Sequence, residues 1–207
     1  MAVNQAIIKK LAGYETASWA IWPEGKFGLD LALSHSEELN GKVIFLGINK
    51  STGGIRKTSE PTTPQSHGIF HNFHTPNHRG DLFLKESISK FNSLRGAFMT
   101  DYSEVVESDS SKVILEKIPQ KLIEQLEILE EKDFSIICFG DKVFNHLLGK
   151  SSPEKKNEVK YFNLELAGKN ITVYHIYHYS YVVRYKKSDK FLPMLQTISE
   201  LIEAKHL

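Results

Sequence analysis

Hydrophobic and polar residues alternate along the chain in two patterns, short apolar runs and longer stretches with helical spacing. The short runs are VIFLGI at 43–48, GAFMTD at 96–101, FSIICFG at 134–140 and ITVYHIYH at 171–178. The first and third are almost continuously apolar, which is typical of strands buried on both faces of a parallel sheet. The pattern therefore predicts four strands at the centre of one sheet.

Amphipathic helices are predicted between and after these strands. Residues 82–94 have apolar side chains at helical spacing, residues 120–131 place leucines on one stripe, and residues 189–206 form a closing helix. Strands that alternate with helices predict an α/β fold with right-handed crossovers. We expect a three-layer α/β/α sandwich with a central four-stranded, mainly parallel sheet, in a single domain over residues 1–207.

Two further segments stand out by their turn residues. The runs VKYFNLEL and ITVYHIYH are joined by AGKN, which predicts a hairpin with a short turn that contains glycine. Residues 50–80 are rich in Ser, Thr, Gly, Pro and His and show no regular period. Irregular loops of roughly thirty residues are usually functional or disordered, so this segment is a candidate for binding.

The composition excludes several classes of protein. With 41% hydrophobic and 25% charged residues the chain is an ordinary globular sequence, and no run approaches the ~18 apolar residues of a membrane span. The first residues lack a secretory signal, so we expect a cytoplasmic protein. Cys138 is the only cysteine, which excludes an intramolecular disulfide and all-cysteine metal sites. It lies in an apolar run and is predicted to be buried.

Charge is distributed unevenly along the chain although the net charge is only +1. Residues 50–95 contain seven basic and three acidic residues, whereas residues 104–133 contain nine acids and four lysines. Two regions of opposite sign favour a protein that presents one face to phosphate and turns another away. Ordinary solvated surface is the alternative interpretation.

Polar residues follow three of the predicted strands where each strand ends. Gly47 to Ser51 follow the first strand, Thr100 and Asp101 end the second, and His178 to Ser180 end the last. In open parallel sheets, ligands bind beyond the carboxyl ends of the strands. The fold would bring these distant segments to one edge, and we expect a binding site there.

These same segments carry a resemblance to a known family. Leu46-Gly47-Ile48-Asn49 resembles the first motif of the mismatch-specific and thymine-type branch of the uracil-DNA glycosylase superfamily. The run from Phe73 to Arg79 is similar to that family's aromatic segment, and residues 96–101 resemble its second-strand signature. His178-Tyr179-Ser180 resembles the second catalytic motif, usually His-Pro-Ser. The matches occur in the family's order and span residues 46–184.

The resemblance implies a uracil-DNA-glycosylase-like fold and an activity. The chain would be a DNA glycosylase, a hydrolase that cleaves the N-glycosidic bond of a flipped uracil or another damaged or mismatched base. Asn49 and His178 would be catalytic: Asn49 would hold the attacking water or contact the base, and His178 would donate to the pyrimidine O2. Phe73 would stack on the base. The resemblance also implies contacts with the substrate from Gly47, Ile48, Lys50, Ser51 and Ser180. It implies contacts with the surrounding DNA from Arg79, Tyr179, Tyr181 and Arg184.

DNA is thus the expected partner, and we expect no cofactor, no bound metal, no membrane and no obligate protein partner. Two positions depart from the family pattern. Lys50 replaces the proline after the asparagine, and Tyr179 replaces the proline between histidine and serine. Proline fixes φ, so both loops would be less rigid. A slow enzyme, a shifted substrate or an inactive relative that binds nucleic acid or nucleotides are the resulting alternatives.

Structural roles are the alternative for each candidate residue. Asn49 suits a turn after a strand, Phe73 suits a core, and His178 suits a histidine that bonds to a backbone carbonyl. Arg184 suits an ordinary exposed surface position.

Four histidines in the irregular segment suggest a rival chemistry. His67, His71, His74 and His78 are spaced four, three and four residues apart, so a continuous helix would place them on one face as metal ligands. Pro76 opposes such a helix because its ring clashes with the preceding turn. Loop histidines near a phosphate or base are the favoured interpretation. A metal-dependent enzyme and a hydrolase of free nucleosides remain alternatives.

Overall fold

One mixed sheet with helices on both faces makes up the fold. The structure, a computed structural model, describes residues 3–24, 27–49, 69–70, 72–74, 78–105, 107, 109–115 and 117–205. The strands are β1 (Ser18–Trp19), β2 (Asn40–Asn49), β3 (Ala97–Ser103), β4 (Asp133–Phe139), β5 (Glu154–Lys156), β6 (Val159–Leu166) and β7 (Lys169–Ile176). The α-helices are α1 (Gln5–Leu11), α2 (Leu29–Ser34), α3 (Arg79–Ile88), α4 (Gln120–Ile128), α5 (Asp141–Leu148), α6 (Tyr179–Arg184) and α7 (Ser188–Lys205).

The strand order across the sheet is β1-β3-β2-β4-β7-β6-β5. Strands β3, β2, β4 and β7 are parallel to one another, whereas β1, β6 and β5 pair with their neighbours in antiparallel fashion. The predicted α/β class is confirmed, and the four strands predicted from apolar runs are the parallel centre. The described sheet has seven strands rather than four: β6 of the predicted hairpin joins it, and β1 and β5, of two and three residues, are too short to leave a periodic pattern.

The predicted hairpin joins β6 to β7. Leu166 pairs with Lys169 in antiparallel register, so Ala167 and Gly168 alone form the turn. Both turn residues have positive φ, of 51° and 70°, as a two-residue hairpin turn of the type I′ class requires. Alternate residues of β6 are exposed, as expected of a strand near the edge of a sheet.

Side chains of the central strands alternate between two buried clusters. On β2, Ile44, Leu46 and Ile48 belong to the cluster beneath α1, α2, α4 and α5, which we call the α4 face. Val43 and Phe45 belong to the cluster beneath α3, α6 and α7, which we call the α7 face. The sheet is therefore the middle of three layers, and its β2 side chains contribute to both.

The helices depart from their predicted bounds at the ends. Helix α3 begins at Arg79, three residues before the predicted start, because the His78 side chain accepts a hydrogen bond from the Asp81 amide and caps it. Helices α4 and α7 match the predicted helices to within three residues at each end. Within the described part of the chain, no helix combines the length and apolarity needed to cross a bilayer.

Candidate functional site

Polar and aromatic side chains meet at the carboxyl ends of the central strands, on the α7 face. Gly47 and Asp101 lie two residues before the ends of β2 and β3, Phe139 ends β4, and His178 follows β7 by two residues. The carboxyl-edge cluster, as we call it, consists of Gly47, Phe73, Asp101, Phe139, His178 and Tyr179. Because the four strands are parallel, their carboxyl ends meet at one edge, as the sequence predicted.

Phe73 reaches the cluster from a segment tied to β1. Ser18 Oγ donates to the Phe70 carbonyl at 2.8 Å, and Asn72 Nδ2 donates to the Thr16 carbonyl at 3.0 Å. His74 Nε2 donates to the Trp19 carbonyl at 3.0 Å. These bonds hold residues 72–74 along β1 and direct the Phe73 ring over the carboxyl end of β2.

The backbone of Phe73 is held in an unusual conformation. Its φ is +66°, in the left-handed region that bulky residues rarely occupy. Such a conformation costs on the order of 1–3 kcal/mol and is found preferentially at functional sites. Its ring is 7% exposed and lies 6.3 Å from the Phe139 ring and 6.4 Å from the Tyr179 ring. Core packing, the structural alternative for Phe73, is thus part of its role.

Gly47 makes room for a buried carboxylate. Asp101 is its register partner on β3 and is 7% exposed. A Cβ on Gly47 would lie 2.1 Å from Asp101 Oδ1 and 3.4 Å from Phe73 Cζ, so only glycine fits at this position. The other carboxylate oxygen, Oδ2, accepts a hydrogen bond of 2.8 Å from Asn72 Nδ2. Asp101 and Phe73 are therefore placed side by side over the end of β2.

His178 caps α6 and is fixed in one tautomer. Its Nδ1 accepts a hydrogen bond from the Ser180 amide at 3.2 Å, so the neutral ring carries its proton on Nε2. The imidazole stacks on Tyr179 at 4.6 Å and meets the Phe139 ring edge to face at 6.0 Å. Burial lowers the pKa of His178 to about 4; the negative charge of Asp81 opposes this shift and His78 adds to it. At neutral pH the ring is an uncharged donor.

The first turns of α3 and α6 lie against each other beside His178. A Cβ on Gly80 would lie 2.9 Å from His78 Cε1, 3.0 Å from Ser180 Oγ and 3.1 Å from Tyr179 Cε2, so glycine permits this contact. Asp81 is 6% exposed, and its Oδ1 lies 3.0 Å from His78 Nδ1. Burial raises the pKa of Tyr179, and the nearby Asp81 and Asp101 carboxylates raise it further.

Asn49 ends β2 but uses its amide hydrogens on the backbone. Its Nδ2 donates to the Val105 carbonyl at 3.2 Å and to the Glu107 carbonyl at 2.6 Å. The side chain thus anchors the segment that follows β3. This is close to the structural alternative considered from the sequence, in which Asn49 stabilises a turn.

The remaining predicted contact residues lie in different environments. Ile48 packs into the α4 face, away from Phe73, and Tyr179 is 7% exposed inside the carboxyl-edge cluster. Ser180 is half-buried, and its amide is occupied by the His178 ring. On the exposed surface of α3 and α6 lie Arg79, Tyr181 and Arg184. Outside the described residues lie Lys50 and Ser51.

The histidines of the irregular segment divide between separate partners. His74 stacks on Phe27 at 4.5 Å and bonds to the Trp19 carbonyl, whereas His78 caps α3. His67 and His71 lie outside the described residues. Within the described ranges, no group of three or more His, Cys, Asp or Glu residues could hold a metal ion.

A large open cavity lies at the opposite, amino-terminal edge of the sheet. Its volume is about 940 Å³, and Asp133, Asn163, Thr172 and Lys205 are among its lining residues. Thr172 Oγ1 donates to Asn163 Oδ1 at 2.6 Å and is contacted by Lys205 Nζ. As far as it is described, the lining includes none of the residues that the family resemblance assigns.

The sequence alone does not identify every residue at this edge. It places Asp101 at a strand end where a binding site is expected, but it predicts no site role for Phe139 or for the neighbouring Asp81. Asp101 had a detectable signal, since a charge at the end of an apolar strand is unusual. Asp81 had none, because its burial depends on Gly80 and on the contact between two helices.

Neither the protein-family models nor the curated proteins compared with the chain include a match to it.

Proposed function

We propose that the chain is a DNA glycosylase that cleaves the N-glycosidic bond of a flipped uracil or another damaged or mismatched base. The observation that carries the proposal is the His178 ring, which is neutral, bears its proton on Nε2, and shares aromatic neighbours with Phe73. A departing pyrimidine needs an aromatic face to stack on and a donor at its oxygen. Both groups stand at the edge where α/β folds bind ligands.

His178 acts in this proposal as the donor to the departing base. Negative charge develops on the pyrimidine O2 as the glycosidic bond breaks, and a preorganised N–H stabilises it more in the transition state than in the ground state. A neutral imidazole can donate without having to hold a positive charge in a buried place. The Ser180 amide keeps the ring oriented, so little reorganisation is needed during the reaction.

Asp101 supplies negative charge to the sugar side of the reaction. The sugar becomes positively charged in the transition state, and a water must reach its anomeric carbon. The Asn49 amide hydrogens bond to backbone carbonyls, so we assign orientation of the water to the Asp101 carboxylate, held by Asn72. Phe73 provides the stacking face beside it.

A catalytically inactive relative that binds nucleic acid or nucleotides is the second candidate. The engagement of Asn49 with residues 105 and 107 favours it, as does the bulk of Tyr179 in place of a motif proline. DNA is the partner in both cases. A cytoplasmic location belongs to the proposal as well.

Strand cleavage after base excision tests the proposal. Single-stranded and duplex oligonucleotides containing uracil, a mismatch or hypoxanthine are incubated with the protein and then treated with alkali. We expect wild-type protein to produce breaks and His178→Asn to be slower by about 10²–10³-fold, since asparagine keeps the helix cap but cannot replace the imidazole donor. Lys205→Gln, at the far edge of the sheet, should cleave like wild type.

The outcome separates the two candidates. Breaks that depend on His178 support the glycosylase. Salt-dependent binding of the same oligonucleotides without any break above the His178→Asn background would instead support the inactive relative.

A further inference from the structure

Three tyrosine rings follow one another along the surface beside the carboxyl-edge cluster. The rings of Tyr177 and Tyr181 are 6.3 Å apart at 33°, and those of Tyr181 and Tyr185 are 4.5 Å apart at 44°. Tyr181 is 40% exposed and Tyr185 is 52% exposed. We call Tyr177, Tyr181 and Tyr185 the tyrosine strip. Tyr177 is half-buried. Two adjoining exposed rings need an explanation because large apolar surfaces are costly to leave in water.

The local sequence explains why the rings align. Tyr181 lies in α6 and Tyr185 is four residues further on, where the Tyr185 amide donates to the Tyr181 carbonyl at 2.9 Å. Residues four apart lie on the same side of a helix. Tyr177 immediately precedes His178, the cap of α6. The strip therefore begins one residue from the proposed catalytic ring and leads away from it over the surface.

Positive charge accompanies the rings. Lys187 Nζ donates to the Tyr181 hydroxyl at 2.9 Å and lies 5.0 Å from the centre of that ring. The Arg184 guanidinium carbon lies 5.6 Å from the centre of the Tyr185 ring. Residues 181–188 contain three cations, Arg184, Lys186 and Lys187, and no acid. Cations beside aromatic faces fit a partner that has both flat rings and phosphates.

We propose that the tyrosine strip binds single-stranded nucleic acid, with unpaired bases stacked on the tyrosines and the backbone phosphates near Arg184, Lys186 and Lys187. Stacking needs base faces that are not already covered, and the paired bases inside a duplex offer none. The proposal deepens the proposed function and rests on it for one point: a base held at His178 would have its neighbours on the strip. The substrate would then be a single strand or an unpaired region.

Binding without cleavage tests the inference. Fluorescence anisotropy measures the affinity of the whole chain for a labelled single-stranded thymidine oligomer, with a duplex of equal length for comparison. Tyr181→Leu and Tyr185→Leu keep apolar volume but remove the rings, and each should weaken single-strand binding about tenfold. Tyr181→Phe should bind like wild type, because it retains the stacking face.

Two controls separate stacking from general effects. Tyr161→Leu, which alters a half-buried tyrosine on β6 away from α6, should leave the affinity unchanged. Lys187→Gln should lower the slope of log affinity against log salt by about one. Equal loss in Tyr181→Leu and Tyr181→Phe, or duplex binding as tight as single-strand binding, would overturn the inference. Absence of single-strand binding would overturn it as well.

The measurements also distinguish this inference from the proposed function. Binding of single strands through Tyr181 and Tyr185 without excision of any base would support the tyrosine strip as a binding surface and contradict the glycosylase activity. Excision from duplexes alone, at a rate that Tyr181→Leu does not change, would support the glycosylase activity and contradict the tyrosine strip as a binding surface. His178→Asn should slow excision by about 10²–10³-fold, whereas Tyr185→Leu should act mainly through the affinity for single strands.

Discussion

The charged side chains at the two edges of the sheet differ in their exposure to solvent. At the carboxyl edge, Asp81 and Asp101 are 6% and 7% exposed; Asn72 Nδ2 donates to Asp101, and the His78 ring lies beside Asp81. At the amino edge, Asp133 and Lys205 are exposed on the border of a cavity of about 940 Å³. The carboxyl edge therefore keeps its carboxylates out of water, whereas the charged side chains at the amino edge are exposed beside a large cavity.

This difference shows why volume alone is a poor guide to chemistry. Burying a carboxylate or an imidazole costs free energy. Buried ionisable groups are therefore found mainly where neighbouring residues stabilise them, and such places are often functional sites. The carboxyl edge combines that cost with a strained Phe73 backbone and with Gly47, where a Cβ would lie 2.1 Å from Asp101 Oδ1. A ligand cavity is typically about 300–1,000 Å³, so the cavity at the amino edge is large enough to bind a ligand, but its polar side chains bond to one another.

The largest predicted effect is a loss of stability in acid that depends on His178 at the carboxyl edge. The folded chain protonates His178 near pH 4 and the unfolded chain near 6.5, so the unfolded state binds more protons between these values. The free energy of unfolding should therefore fall by about 3 kcal/mol as pH is lowered through this window. His178→Asn should lose that dependence, as urea unfolding at successive pH values would show.

Other titrating groups set the background of this experiment. Burial also lowers the pKa of His175, on the α4 face, so some dependence remains in the variant. Parallel curves for wild type and His178→Asn between pH 6.5 and 4 would contradict the buried, neutral ring.

Two glycines on the same strand offer a matched comparison. Gly47→Ala places a methyl group 2.1 Å from a buried carboxylate oxygen. Gly41→Ala, near the amino edge, meets the ends of the Leu129 and Val3 side chains at 3.1 and 3.9 Å. We expect Gly47→Ala to lower the free energy of unfolding by about 2 kcal/mol and Gly41→Ala to have a smaller effect. Urea denaturation measures both. Equal effects would mean that Asp101 does not lie over Gly47.

The smallest predicted effects on stability come from two asparagines, one at each edge of the sheet. Asn49→Ala removes two hydrogen bonds to the backbone at residues 105 and 107, and should cost about 1 kcal/mol. Asn170→Ala removes an exposed bond to Asp133 at the amino edge and should cost under about 0.5 kcal/mol. Excision should survive Asn49→Ala far better than His178→Asn. A loss of excision as large as that of His178→Asn, without loss of stability, would restore a catalytic role to Asn49.

Much of the fold could be predicted from local pattern. The apolar runs located β2, β3, β4 and β7, and a glycine after an alternating strand located the β6–β7 hairpin. The short strands β1 and β5 could not be predicted, because two or three residues are too few to show an alternating hydrophobic pattern. Strand ends pointed to Gly47, Asp101 and His178, since polar residues after buried strands are visible in a sequence.

The contacts inside the site could not be predicted in the same way. Asn49 lies at the expected edge, yet its amide bonds to Val105 and Glu107, a pairing that depends on how the segment after β3 is placed. Tyr179 was expected on the DNA-binding surface but lies inside the cluster, because α3 and α6 meet at Gly80. Burial of a given side chain is decided by neighbours from distant parts of the chain.

The sequence by itself determined the strands of the parallel centre and the edge to which their polar ends converge, because strand periodicity and parallel pairing follow from local hydrophobic pattern. Only the tertiary structure decided that Asp101 and Phe73 lie together over Gly47, and that His178 is a neutral cap. Those facts depend on strand register, on the φ of single residues and on the desolvation of one imidazole. None of these quantities exists until the distant segments are packed together.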